Sequence, residues 1–592
     1  MKKLTQKHIC CIPLAIWIVI IPIVVKMKAF ANPLLEYPWY NRETVIADFF
    51  LYHKSLLVTL IGVLMLILLC WQISKVRRKD TLFHADMKIF IPILVYLILA
   101  VLSSLFSEHA YFSVHGVPDQ FETIWNLIAY VVAVIYCYYV VVYQNCEMSI
   151  VRLIYTGAAC VGIICVLQFF KVDIYRLIYS GEGYTFTFEL GTVYGPFYNV
   201  NYVGFYTLLF VPLFVLFFLL HKDLKVKIIS AVMVILLMMS MIGASSITAE
   251  IAFVAVVAFA VLFLLIKNAK EKKFLWAIAA IMIIVGIAGC AVIMPRVNGY
   301  IQASNTEKTN LENIFTHDDH VEIDYKGNKL NIEMIVNDSA ISFNLSDQNQ
   351  TAVSFEYMNS EENDYYYYTI TDDRFTGMTL TPALISEDPQ TYGFMVFIDD
   401  KNWIFTNQMT EDGTYYYYSD LGTLTKLTEE NVSADFQPLV NKTNLASGRG
   451  YLWNKTIAIL KNYVLFGSGA DTFVFAYPNN DFVDRYNNGY DNMFITKPHN
   501  LYLQIAVQTG ILSLICFLVF YLWYFISSLR IYYRQRLDNP LVITGFAAVL
   551  GTFGYMISGL ANDSTITISP LFWAMMGVGI GINYRIKSAV KQ

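Results

Sequence analysis

The stretch TKPHNLYLQIAVQTGIL places Lys497, Pro498, His499 and Asn500 directly before a long apolar run. A histidine in this position can take a proton from a hydroxyl group near neutral pH, because its unperturbed pKa is about 6.5. Arg449, in SGRGYLWNK, has the planar guanidinium that binds phosphate oxygens through parallel N–H bonds. Arg449 could alternatively anchor the chain to lipid headgroups. A purely structural alternative is that Asn500 caps the following helix.

The rest of the sequence indicates which elements must position these side chains. The chain has 592 residues, 56% of them hydrophobic and 15% charged, with a mean hydropathy of +0.49. A soluble chain of this size needs more charge, and here the apolar residues form blocks long enough to cross a hydrocarbon core of about 30 Å. We therefore predict an all-α polytopic membrane protein with about twelve transmembrane helices. The predicted spans lie near residues 9–28, 55–74, 88–106, 123–144, 149–170, 200–220, 226–243, 248–266, 274–294, 500–528, 540–560 and 567–584.

The distribution of positive charge predicts the orientation of these spans. Lys and Arg are concentrated in alternate connecting segments, such as SKVRRKD, HKDLKVK and LRIYYRQR. Because positively charged loops stay in the cytoplasm, we expect a multi-pass protein of the cytoplasmic (inner or plasma) membrane with both termini inside. The first span also resembles a signal peptide, with an A-x-A cleavage site at Ala29–Ala31, so its retention or cleavage stays open.

Net charge and cysteine content narrow the class of protein further. The net charge of −5 gives no indication of a nucleic-acid partner. The cysteines fall in or beside apolar segments, so we expect small buried side chains and no disulfide framework.

A long polar region interrupts the apolar pattern. Segments such as NKLNIEMIVND and YGFMVFIDDKNWIF combine β-branched and aromatic residues with Asp, Asn and Gly at their ends, which is typical of antiparallel strands. We predict an extracellular or periplasmic, mainly-β domain over residues 295–450. The remaining predicted units are helices one to nine (1–294), an outer-face amphipathic helix with a catalytic loop (451–499), and helices ten to twelve (500–592).

Two further patterns in the polar region have structural and functional interpretations. The tyrosine runs at Tyr365–Tyr368 and Tyr415–Tyr418 offer aromatic faces that could stack against sugars, or they could simply fill a core. The HDDH stretch at His317–His320 shows no further ligand in the sequence, so we expect no metal site there.

The motifs around Arg449 and His499 resemble the signature of the O-antigen ligase and polysaccharide polymerase superfamily. In that pattern an Arg precedes a Trp-bearing helix, a Gly-x-Gly follows, and His-Asn-x-x-Leu-Gln opens a helix that contains a Gly. The matching positions, with an Asn-x-Asn stretch in an earlier helix, are Arg449, Trp453, Gly467, Gly469, His499, Asn500, Leu503, Gln504, Gly510, Asn199 and Asn201. The segment GLANDSTITISP is similar to the family's last outer loop. One departure is Ile247, which stands where the family usually has the arginine of a Ser-Arg pair.

The resemblance implies a membrane glycosyltransferase with a GT-C-like fold and no cofactor. It would transfer an oligosaccharide from an undecaprenyl-pyrophosphate donor to a glycan or lipid-linked acceptor, among membrane lipids at the outer face. Arg449 would bind the pyrophosphate and His499 would orient or deprotonate the acceptor. Glu250, a charge within an apolar run, would hold an arginine or act on the acceptor. The expected substrate-binding residues are Asn201, Arg485, Lys497, Asn500 and Asp563, and Arg485 or Lys497 could replace the missing arginine.

Alternative functions remain open from the sequence. A polymerase and a ligase of this superfamily differ only in their acceptor. A transporter or flippase of lipid-linked sugars is the alternative from another class, and it requires charged residues along a path through the membrane. Here the polar candidates cluster at the outer ends of the helices, which favours surface chemistry.

Overall fold

A computed structural model describes residues 6–40, 42–75, 85–179, 188–267, 309–337, 340–359, 366–387, 390–408, 413–420 and 422–591. Within these ranges, nine helices have the length and apolar composition of membrane spans. They are Tyr52–Ser74, Met87–Leu105, Ile124–Gln144, Glu147–Phe169, Val200–Leu220, Leu224–Ala244, Ile247–Lys267, Ile511–Arg534 and Pro540–Ser558. The chain is therefore a polytopic membrane protein, and these helices match nine of the predicted spans. The predicted span 274–294 lies outside the described residues.

Two other helices correspond to the first and last predicted spans. Lys7–Ile23 is a shorter apolar helix with a π-helical turn at Ile16–Ile20. The last helix, Ser569–Lys591, is less apolar and packs along Ile124–Gln144 in the centre of the bundle. A Cβ on Gly577 would lie 2.3 Å from the Val134 carbonyl oxygen, so small residues allow this close approach.

The predicted span 500–528 is broken into two helices. Leu501–Thr509 and Ile511–Arg534 meet at Gly510, whose φ of 98° is a left-handed conformation that favours glycine. The Gly-x-Gly segment before it packs against this break, and Ser468 N donates to Val507 O at 2.8 Å. The prediction of one continuous helix was wrong, because distant backbone supplies hydrogen bonds where the helix ends.

Gly467→Ala is expected to lower the stability of the folded protein by about 3 kcal/mol, because the new methyl group would overlap backbone that cannot move away. Its Cβ would lie 2.2 Å from the carbonyl carbon of Gln508. Thermal unfolding of the purified protein in detergent measures the effect. In the control Gly413→Ala, φ is 73° but nothing lies within 4 Å, so only backbone strain of about 1 kcal/mol is expected. Equal losses in melting temperature would contradict the packing argument.

The polar region forms two antiparallel sheets, which confirms the predicted β-rich unit. The first has four strands in sequence order: Leu311–Thr316, Val321–Tyr325, Asn328–Asn337 and Ala340–Asp347. The second has seven strands, also in sequence order: Phe355–Asn359, Tyr366–Ile370, Thr379–Glu387, Gln390–Ile398, Lys401–Thr406, Tyr416–Tyr418 and Leu424–Thr425. Their inward side chains, including Phe343, Phe394 and Trp403, share one apolar core.

The β unit is joined to one end of the helix bundle. Its core extends to Trp39, Phe112 and Val474, which lie in connections between the helices. This is the end at which Ile124–Gln144 and Val200–Leu220 begin, and we call it the β end.

The predicted amphipathic helix is Arg449–Ile459, at the β end. Its Lys455 side chain is only 4% exposed and pairs with Asp435 at 2.7 Å and Asp484 at 2.8 Å. The polar side of this helix is therefore held by protein rather than by solvent.

Candidate functional site

His499 lies in the turn before Leu501–Thr509 and contacts a carboxylate. Its Nδ1 is 2.7 Å from Asp563 Oδ2, and Asn500 N donates to Asp563 Oδ1 at 3.1 Å. The Asp563 side chain is 1% exposed whereas that of His499 is 41% exposed. His499 also has a φ of 49°, an uncommon conformation for a residue other than glycine. A buried carboxylate on Nδ1 orients the ring and leaves Nε2 for chemistry.

Asn500 is a helix cap, as its structural interpretation predicted. Its Oδ1 accepts hydrogen bonds from the backbone N–H groups of Tyr502 and Leu503, each at 3.0 Å. Its Nδ2 donates to Leu560 O at 2.7 Å. Because both ends of the amide bind protein, we assign Asn500 to positioning the His499 turn and no longer to substrate binding.

Arg449 begins the neighbouring helix, which is tied to the same turn. The Arg449 Nη1 donates to Ala446 O at 3.0 Å. One turn later, Trp453 Nε1 donates to Pro498 O at 3.1 Å. The Trp-bearing helix therefore contacts the residue that precedes His499.

The pKa of Asp563 depends on three of the predicted site residues. Burial raises the pKa of Asp563, but the charges of His499, Lys497 and Arg449 outweigh it and hold the pKa below its usual range. His499 therefore contacts Asp563 directly, and Lys497 and Arg449 lie within electrostatic range of the same carboxylate at the β end. Residues far apart in the sequence meet there.

Lys497 also faces three carboxylates that the sequence analysis missed. Burial raises the pKa of Asp119, Glu122 and Asp471, and the positive charge of Lys497 opposes this shift in each. The residue Lys497 is only 8% exposed. An isolated acidic residue in a loop forms no recognisable sequence motif. The available signal for Asp119 and Glu122 was the stretch DQFE, which lies directly before the span that begins at Ile124.

Glu122 holds the loop that carries Asp563. Glu122 Oε1 accepts from Tyr130 Oη at 2.8 Å and from Ser564 Oγ at 2.7 Å. Gln504 completes the network, because its Oε1 accepts from Ser564 N at 2.7 Å. A cavity of about 20 Å³ lies beside these side chains, which is room for a water molecule. The network fixes the residue next to Asp563.

Asn201 and Glu250 lie near each other at the β end, at the starts of two helices. Asn201 Oδ1 accepts from Ser246 Oγ at 2.7 Å, directly before the helix Ile247–Lys267 that carries Glu250 in its first turn. Tyr202, which follows Asn201, lies within electrostatic range of Asp563 and Arg449. The Asn-x-Asn stretch is therefore adjacent to the cluster around His499.

Arg485 does not belong to this cluster. Its guanidinium donates to the carbonyl oxygens of Asn479 at 2.8 Å, Tyr490 at 3.2 Å, Asp491 at 3.2 Å and Met493 at 2.5 Å. The residue is 1% exposed. The expectation that Arg485 binds substrate is therefore corrected, since its donors are used to hold the 479–493 loop.

Arg485→Met is expected to destabilise the fold by about 3 kcal/mol, because it leaves buried carbonyl groups without donors. Thermal unfolding of the detergent-solubilised protein measures this loss. Arg536→Met is the control, since the Arg536 side chain is 92% exposed. A loss of donor affinity with unchanged thermal stability would instead return Arg485 to the substrate site.

A family model described as O-antigen ligase matches residues 413–518. A search of curated proteins found no significant match. The matched segment contains Arg449, the Gly-x-Gly turn, His499 and the helix break at Gly510. This segment of the chain is therefore similar to the O-antigen ligase family.

Proposed function

We propose that this protein transfers an oligosaccharide from a polyprenyl-pyrophosphate carrier to a glycan acceptor at the outer face of the cytoplasmic membrane. The match of residues 413–518 to the O-antigen ligase family model supports a surface polysaccharide ligase or polymerase. The observation that carries the proposal is the half-exposed His499 on the buried Asp563, whose charge is also balanced by Arg449. This arrangement combines a proton acceptor with a cation suited to phosphate.

The proposed reaction forms one glycosidic bond and breaks one. The acceptor oxygen bonds to the anomeric carbon of the donor as its proton passes to His499 Nε2. The bond between the anomeric carbon and the pyrophosphate oxygen breaks, and the polyprenyl pyrophosphate leaves with the electron pair. Asp563 stabilises the imidazolium that results, and Arg449 stabilises the negative charge that grows on the leaving group.

The remaining residues of the cluster have supporting roles in this proposal. Lys497 neutralises the carboxylates around it, so we assign the binding of pyrophosphate to Arg449 alone among these cations. Asn201 and Glu250 lie at the adjacent helix starts, where an acceptor sugar could be hydrogen-bonded. The reaction as drawn uses no cofactor, because the donor is already activated.

The proposed location follows from the ends of the bundle. Every residue of the cluster is at the β end, whereas the described basic residues of 221–227 and 530–536 lie at the opposite ends of their helices. Retention of positive loops in the cytoplasm then puts the termini inside and the β unit outside. In this proposal the lipid-linked donor presents its pyrophosphate on the same side of the membrane as the cluster.

Reconstitution into proteoliposomes tests the proposal. Purified polyprenyl-pyrophosphate oligosaccharide is supplied with candidate acceptors, and products and released carrier are quantified. We expect product and free polyprenyl pyrophosphate in equal amounts. A longer glycan on the carrier would identify a polymerase, and a new conjugate on a different acceptor would identify a ligase. Movement of intact donor between leaflets, with no new glycosidic bond, would favour the flippase.

Asp563→Asn is expected to lower kcat for this transfer by about 10- to 100-fold with little change in the KM for donor, because Asp563 acts through His499. The asparagine keeps the size of the side chain but loses the charge that stabilises the imidazolium. Leu560→Ala, a change in an exposed side chain of the same loop, is the control for disturbance of the loop. A wild-type kcat in Asp563→Asn would contradict this role.

A further inference from the structure

A second cluster of chemically capable side chains lies in the β unit. His317 and His320 stand in the tight connection between strands Leu311–Thr316 and Val321–Tyr325, and their rings stack with centroids 4.5 Å apart. Glu322 is two residues beyond His320, so it projects from the same face of its strand. One ligand atom from each of these residues lies within 4.8 Å of the others. We propose that His317, His320 and Glu322 bind a divalent transition metal ion, with Zn²⁺ as the best match.

The donor set fits zinc better than the other common divalent ions. Zinc binds imidazole nitrogen and carboxylate oxygen at about 2.0–2.2 Å, usually with four ligands in a tetrahedron. Two imidazoles and one carboxylate would supply three ligands, and water would supply the fourth. Ca²⁺ and Mg²⁺ prefer sites built from oxygen atoms alone. Small side-chain rotations in an exposed turn would bring the three donors to bonding distance.

Neighbouring groups already orient two of the three ligands. Asp319 Oδ1 lies 2.6 Å from His320 Nδ1, which leaves the Nε2 atom of His320 with its lone pair for the metal. This is the usual arrangement of a carboxylate behind a metal-binding histidine. Lys329 Nζ binds Glu322 Oε1 at 2.7 Å, so the other carboxylate oxygen remains for coordination.

The local charge also favours a cation. The carboxylates of Asp318, Asp319, Glu322 and Asp324 lie in the turn and its adjoining strand, and in the described part of the chain the ammonium group of Lys329 pairs with Glu322 and Asp324. The net charge around the turn stays negative when Lys329 is included. This negative charge attracts a divalent cation. The sequence analysis expected no metal here because HDDH lacks a third ligand, and the strand pairing supplies it.

The position of the site gives the metal a structural role. His317 O accepts from Tyr415 N at 3.0 Å, and Asp318 Oδ1 accepts from Thr414 Oγ1 at 2.9 Å. These bonds join the four-stranded sheet to the seven-stranded sheet. A bound ion would stiffen the turn at this junction and stabilise the β unit, independently of glycan transfer.

Zinc titration of the metal-stripped, full-length protein in detergent tests the inference. Isothermal calorimetry is expected to show one equivalent of Zn²⁺ bound by the wild type and lost in His317→Ala/His320→Ala. Glu322→Gln is expected to weaken binding by about 10- to 100-fold. His115→Ala removes an exposed histidine from a different connection and is expected to bind zinc as the wild type does.

Thermal unfolding provides the second measurement. Zn²⁺ is expected to raise the melting temperature of the wild type and of His115→Ala, and to leave that of the double variant unchanged. The melting temperature of each variant is compared with and without Zn²⁺, so that any loss of stability from the replaced side chains themselves is subtracted. Zinc binding of the same stoichiometry in the double variant, or none in the wild type, would overturn the inference.

Discussion

Replacing His499 with alanine is expected to lower kcat for glycan transfer by about 10²- to 10⁴-fold, with donor binding little changed. The alanine cannot accept the proton of the acceptor hydroxyl, and the buried Asp563 then has no imidazole to orient. Steady-state kinetics in proteoliposomes, with purified lipid-linked donor, measure the loss. The loss should appear at saturating donor, because the role of His499 is in the bond-making step.

His115→Ala is the matched control for His499→Ala. His115 also lies at the β end, and its Nδ1 contacts Tyr111 O at 2.9 Å rather than a carboxylate. Its loss should leave the transfer rate unchanged. If His499→Ala transferred glycan at the wild-type rate while remaining folded, the imidazole would have no part in the chemistry.

Arg449→Ala is expected to lower kcat/KM by about 10²- to 10³-fold, since in the proposed mechanism it removes the cation that stabilises charge on the leaving pyrophosphate. Arg449→Lys should recover only part of this loss, because an ammonium group cannot make the parallel pair of N–H bonds. The same proteoliposome assay, with donor concentration varied, separates binding from chemistry. The recovery by lysine distinguishes a phosphate contact from a general structural role.

Lys461→Ala provides the control for Arg449→Ala. Lys461 is an exposed cation just beyond the same helix, so its removal changes the local charge without touching the cluster. The assignment of Arg449 to pyrophosphate would be wrong if the two variants lost activity equally. It would also be wrong if Arg449→Lys and Arg449→Ala could not be told apart.

Elements whose stability is local were predictable from the sequence. The apolar runs gave helices such as Val200–Leu220 within a few residues of their predicted ends, because a membrane span needs about twenty apolar residues. The alternation in YGFMVFI gave the strand Gln390–Ile398 for a similar reason. The cap at Asn500 also followed from residue type and position.

Features that depend on distant backbone were not predictable. The break at Gly510 exists because Leu465 and its neighbours pack against it, and a Cβ on Gly510 would lie 2.6 Å from Leu465 O. The sequence predicted that Arg485 binds substrate, whereas in the fold its guanidinium donates to four carbonyl groups of its own loop. The role of Glu122 in holding the Asp563 loop depends on the fold, which places Glu122 beside Ser564.

A double-mutant cycle on kcat for transfer from the polyprenyl-pyrophosphate donor tests most directly whether Asp563 and His499 act as one unit. Asp563→Asn is expected to slow the wild type by about 10- to 100-fold and to have no further effect in the His499→Ala background. Equal losses in the two backgrounds would show that Asp563 acts without His499, and the proposed site would have to be rebuilt around other residues.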